Sequence, residues 1–74
     1  MIDKKLNEIV MSYNQNFEYK ENINLRTDLN MDSLDIIKFF MELEEVYEIE
    51  ITDECIDKNN LLNLDNLNKY LSNK

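Results

Sequence analysis

Ser33 is the residue of this 74-residue chain whose type and setting best suit it to take part in chemistry. It lies in Asp32-Ser33-Leu34-Asp35, at the head of a long apolar-periodic run. A serine hydroxyl becomes a nucleophile when a base removes its proton, and that base is most often His. The sequence contains no His, which excludes a Ser–His triad and most zinc or haem sites. Ser33 therefore either starts a helix, the common use of Ser in such a place, or reacts with a base and metal that another protein supplies. A hydroxyl at a helix N-terminus faces free N–H groups and the positive end of the helix dipole, and both favour a phosphate. Asp32 and Asp35 flank it with charge that a basic enzyme can grip.

Other candidates are poorer. Asp28, Asn30 and Asp32 alternate as oxygen ligands do at the start of an EF-hand loop. The sixth position is Ser33 where the turn needs Gly, and the twelfth is Phe39 where a bidentate Glu belongs. A calcium sensor is thus the third reading of the chain, and no metal site is expected. The single Cys55 excludes an internal disulfide and points to a reducing, cytoplasmic setting; it reads as a small buried hydrophobe without a catalytic role. There is no Gly, so phosphate-cradling loops and dinucleotide fingerprints are absent. No apolar run approaches the ~20 residues of a membrane span, and no signal-peptide core is recognisable at the N-terminus. No enzymatic activity of its own is expected, nor more than one domain over 1–74.

Charge is concentrated. From Asp32 to Asp57 ten acids face one base, Lys38, a net −9 against −8 for the whole chain. Such a stretch repels nucleic acid phosphates and attracts basic protein surfaces.

The elements that must position these residues follow from periodicity. Ile2, Leu6, Ile9, Val10 and Tyr13 predict a helix over 2–13, with Asn14 and Asn16 stopping it through left-handed backbone. No period holds over 15–31, where Phe17, Tyr19, Ile23, Leu25 and Leu29 are expected to pin a long loop across a bundle. Asp32 as N-cap opens a helix over 33–47. The segment 46–51, without a partner strand, reads as an extended link with Val46, Ile49 and Ile51 partly buried. Thr52 or Asp53 caps a short turn to about Asp57 with Cys55 and Ile56 inward, and Lys58, Asn59 and Asn60 break it. Asn63 caps a last helix to about Leu71 that buries Leu64, Leu67, Tyr70 and Leu71. The fold class is all-α: a small four-helix bundle with a long loop between the first two helices and a short third helix.

The helix over 33–47 carries two apolar stripes. Ile36, Phe39, Phe40, Leu43 and Tyr47 form one; Leu34, Ile37 and Met41 form another about a third of a turn away. One stripe fills a core. The second is either wrapped by the bundle or left exposed as a strip on which a partner docks.

Together, Asp28-Leu29-Asn30-Met31-Asp32-Ser33-Leu34-Asp35, the run Met41-Glu42-Leu43-Glu44-Glu45 and the pair Glu50-Ile51 resemble the acyl carrier proteins. The pattern in that family is Asp-Leu-Gly, one residue, Asp-Ser-Leu-Asp/Glu, a helix with a Leu-Glu-Glu run, then an extended segment. The likeness is close from Leu25 to Glu54. Elsewhere it rests on the pattern and position of the first and last helices. The resemblance implies that a phosphopantetheinyl transferase joins 4′-phosphopantetheine to Ser33. The arm's thiol would then carry acyl groups as thioesters between enzymes with basic docking surfaces, in fatty acid or specialised, polyketide-like biosynthesis. It implies that Asp32, Leu34, Asp35, Ile37, Met41, Glu44 and Glu45 meet those partners, and it favours an exposed second stripe on a monomer. Five positions depart from the pattern. Asn30 replaces Gly, but tolerates left-handed backbone. Lys38 stands where an acid is usual and places a positive charge in the docking face. Thr52 replaces a common Pro. Phe39 and Phe40 are bulkier than the usual aliphatics, which shrinks or reshapes the space for an acyl group. The alternative from another class is an unmodified acidic adaptor that binds a basic partner through the same strip.

Overall fold

The computed structural model describes residues 2–73. Its elements are four helices, with no strand among the described residues: α1 (Lys4–Tyr13), α2 (Ser33–Tyr47), α3 (Asp53–Lys58) and α4 (Leu64–Ser72). None of them is long and apolar enough to cross a membrane. Each helix opens on a side-chain cap of the type its sequence supplies: Asp3 for α1, Asp32 for α2, Thr52 for α3 and Asn63 for α4. Helix α1 therefore starts two residues later than its periodicity suggests, because Asp3 accepts the Lys5 amide instead of joining the helix.

One apolar cluster joins all parts of the chain. Helix α1 contributes Leu6, Ile9 and Val10, and α2 contributes Phe39, Phe40 and Leu43. Helix α4 adds Leu64, Leu67 and Leu71. Tyr13, Phe39 and Phe40 stack edge to face in a row, with ring centroids 5.7 Å and 5.6 Å apart. Such contacts add to simple burial, and here they fix how α2 is rotated about its axis.

The long connection from α1 to α2 is pinned as its apolar residues suggest: Phe17, Ile23, Leu25 and Met31 are buried, with Tyr19 and Leu29 packed at the margin. Polar groups hold it as well. The Leu25 amide donates to the Leu62 carbonyl at 2.9 Å, and the Leu64 amide to the Ile23 carbonyl at 2.8 Å. Asp65 accepts the Asn22 amide at 3.0 Å and the Tyr19 hydroxyl. Asp28, one of the would-be calcium ligands, accepts the Asn24 amide at 2.7 Å and closes a turn. Left-handed backbone falls at Asn22, Asn30, Glu48 and Asn60. In a chain without Gly, Asn takes three of these four places, since its short polar side chain tolerates the region best.

Three expectations are corrected. Asn14 ends α1 in extended backbone (φ −143°), with its N–H on the Val10 carbonyl, and neither it nor Asn16 is left-handed. Val46 belongs to α2 and is 39% exposed; the extended link begins only after Glu48. Lys58 is the last residue of α3, and the break comes at Asn59 and Asn60.

Glu44 ends α2. Its carbonyl accepts the amides of Glu48 and of Ile49, the latter at 3.1 Å, and its carboxylate accepts the Ile51 amide at 2.8 Å. That bond draws the link back along the helix and seats Ile51 in the core. Glu44→Ala is expected to lower stability by about 1 kcal/mol, while Glu45→Ala, on an exposed side chain, changes it little; urea unfolding of the two variants checks this. A second prediction concerns acid. The bonds from the Asn22 amide and then the Tyr19 hydroxyl hold the Asp65 carboxyl below its ordinary 3.8. A depressed folded-state value stabilises the fold above 3.8, and the contribution is lost as pH falls through the lowered value. The stability difference between wild type and Asp65→Asn should therefore be full near neutrality and close below about pH 4. A difference that persists unchanged at the acid end would show that the ionised form is not what matters.

Candidate functional site

Helix α2 gathers the residues singled out by the sequence. Its start is a reciprocal cap: the Asp32 carboxylate accepts the Asp35 amide at 2.8 Å, and the Asp35 carboxylate accepts the Asp32 amide at 3.3 Å. Each acid thus satisfies a backbone N–H that the first turn would otherwise leave open. Behind the cap, Asn30 turns left-handed (φ 55°) and buried Met31 anchors the approach. Met31 is the core residue of the loop that periodicity misses, because no regular element surrounds it.

Ser33 is the first residue of α2, one place inside the cap, and it is exposed. Among the described residues its hydroxyl has no hydrogen-bond partner, and the amides of Ser33 and Leu34 meet no acceptor. This is the open N-terminus of a 15-residue helix. A phosphate ester on Ser33 would sit where free N–H groups and the helix dipole favour it. The two nearest carboxylates, on Asp32 and Asp35, are turned to the cap.

The second apolar stripe lies outside. Leu34 is 58%, Ile37 56% and Met41 62% exposed. The bundle covers the other stripe only. Lys38 is exposed beside the strip, and no ion pair engages it among the described residues. Glu45 is exposed, whereas Glu44 is half-buried with one oxygen committed to Ile51. Its structural role has no signature in the sequence, since the bond spans seven residues across a helix end. Acids crowd the C-terminal end of α2, with no base in its last turn, although the dipole there favours cations.

Between α2 and α3 lies a mainly apolar cleft of about 160 Å³. Its α2 wall is Ile36, Ile37, Phe40, Met41 and Glu44. These stand three, four, seven, eight and eleven places after Ser33, the spacing of one helix face running away from the serine. Ile51, Asp53 and Ile56 form the opposite side. Two larger depressions, of about 280 Å³ and 340 Å³, are lined by no residue of α2. Among the described residues no three His, Cys, Asp or Glu side chains converge as metal ligands.

No protein-family model matches the chain, and no solved structure does. Over 40 residues, 54% of this chain, the sequence is 45% identical to an acyl carrier protein of Prochlorococcus marinus (strain MIT 9515). The matched stretch covers 50% of that protein, so the chain spans about half the length of the curated relative it matches. The sequence resemblance to acyl carrier proteins is thereby joined by a curated relative of that name and by an all-helical fold of four helices.

Proposed function

We propose that this chain is an acyl carrier protein that bears 4′-phosphopantetheine on Ser33 and has no catalytic activity of its own. The observation that carries the reading is the placement of an unpartnered, exposed serine hydroxyl at the open N-terminus of α2, directly above an exposed apolar strip bordered by acids. The residues present fit the group. In loading, the Ser33 oxygen attacks the β-phosphorus of coenzyme A, an O–P bond forms, and the pyrophosphate linkage breaks to release 3′,5′-adenosine diphosphate. The hydroxyl proton passes to a base on the transferase, since this chain has no His. When bound, the arm supplies a thiol on a flexible tether for acyl groups, which raises their effective concentration at each partner.

The chain's own residues do the docking. Leu34, Ile37 and Met41 offer apolar contact, while Asp32, Asp35 and Glu45 with the exposed acids beyond them steer basic enzymes toward it. Glu44 contributes charge and holds the link. The partners are a phosphopantetheinyl transferase and acyl-transferring or acyl-modifying enzymes of fatty acid or specialised biosynthesis. Lys38 selects among them for a surface with an acid opposite. The single free Cys55 suits the cytoplasm.

The test is intact mass after incubation with coenzyme A, magnesium and a broad-specificity phosphopantetheinyl transferase. Wild type should gain one phosphopantetheinyl group and Ser33→Ala none, while the variant stays folded because Asp32 is the cap. No gain on wild type would favour the unmodified acidic adaptor. Glu45→Lys should raise the KM for loading several-fold at low ionic strength and little near 1 M salt, where the screening length is about 3 Å. Glu45 is the cleaner site for this reversal, because Glu44→Lys would also disturb the link.

A further inference from the structure

Resting on the carrier reading, we infer that Lys38 sets partner choice by exclusion: it turns away enzymes whose docking surface is wholly basic and admits one that sets a carboxylate opposite it. Lys38 is the one base among ten acids from Asp32 to Asp57. It is exposed in the middle of α2, with about 7.5 Å of helix rise between it and Ser33. Leu34 and Met41 stand four places before it and three after, so on one side it adjoins the apolar strip. Asp35 and Glu42, three places before and four after, adjoin it on the other side. An enzyme that covers Leu34, Ile37 and Met41 therefore covers Lys38 as well.

Stability gives no reason for a base at this place. The Asp35 carboxylate accepts the Asp32 amide, and no hydrogen bond or ion pair joins Lys38 to Asp35, to Glu42 or to any other described residue. Bases elsewhere are placed differently. Lys5 lies over the Tyr47 ring, 5.8 Å from its centroid. Lys58 and Lys69 occupy the last turns of α3 and α4, where the dipole favours cations. Lys38 is more than a turn from either end of α2, outside the reach of that effect. Its charge is thus free to act on whatever covers the strip. Against an Arg or Lys in a closed contact it repels, and like charges so placed suppress wrong partners. Against an Asp or Glu it forms a pair. The enzyme fitted to this face has an apolar socket for the strip, bases for Glu42 and Glu45, and one carboxylate for Lys38.

The experiment measures KM and kcat for loading of Ser33 by a broad-specificity transferase with a basic docking surface, on wild type, Lys38→Gln and Lys38→Glu. At low ionic strength KM should fall in that order, by about two- to fivefold in all, the scale of an exposed charge pair, with kcat unchanged. At about 1 M salt the three values should converge. The transferase is then varied, with the Arg and Lys residues of its docking surface reversed to Glu one at a time. One such reversal should lower the KM of wild type and raise that of Lys38→Glu. Equal KM values for the three chains at low salt, or the lack of any reversal that swaps their preference, would overturn the inference, while the gain of mass on Ser33 leaves the carrier reading intact. A wild-type chain that accepts no arm overturns both.

Discussion

A bundle this small covers one face of α2, and the rest of the molecule is arranged around that limit. Phe39, Phe40 and Leu43 go inward against α1 and α4. Because Tyr13, Phe39 and Phe40 interlock edge to face, the rotation of α2 about its axis is not free. Fixing that rotation settles several other placements together. Leu34, Ile37 and Met41 must lie in solvent, Ile36 must look toward α3, and the first residue of the helix must stand clear of the core. A second layer of helix over the strip would cost little chain and bury three large side chains, worth several kcal/mol at ~25 cal/mol per Å². Among the described residues no helix covers it. Under the proposed function, the strip is the surface on which partners would dock.

Electrostatics run against stability in the same place. The start of α2 obeys the ordinary rules, with two acids capping each other's backbone at the positive end of the dipole. Its other end breaks them, with Glu42, Glu44 and Glu45 in the final turns, Glu48 just beyond in left-handed backbone and no base to offset them. Glu44 recovers part of the loss by accepting three backbone amides. Local conflicts of this kind are expected where a surface serves something other than folding.

The fold was largely legible in local signals. Asp32 and the apolar period that follows it define α2, and the structure places it over Ser33–Tyr47. Thr52 and Asn63 are caps, and Asn30 is left-handed. These features depend on one residue type in a local setting. Misreadings arose where the same residue type has two uses. Asn14 looked like a left-handed stop but ends α1 in extended backbone. Val46 alternates like a strand residue, yet it continues the helix. What could not be read depends on partners far along the chain: Asp65 under Tyr19, Glu44 under Ile51, and the ring row that backs the cleft. For the site, residue type picked out Ser33 and helical spacing picked out the strip. The cleft was hidden, because its far wall comes from the link and α3.

The pairing of the long loop with the residues around α4 has a kinetic side. The bonds from Asp65 to the loop span 43 and 46 positions, and the Asp3 amide reaches Asn68 across 65. Chain entropy must be spent before contacts so distant are rewarded. Helix α2 can form on its local capping, but the wrap that presents it closes only when both ends of the chain arrive. The chain contains no proline, so no isomerisation delays that step. Closing the wrap joins the loop to α4 and leaves Leu34, Ile37 and Met41 in solvent.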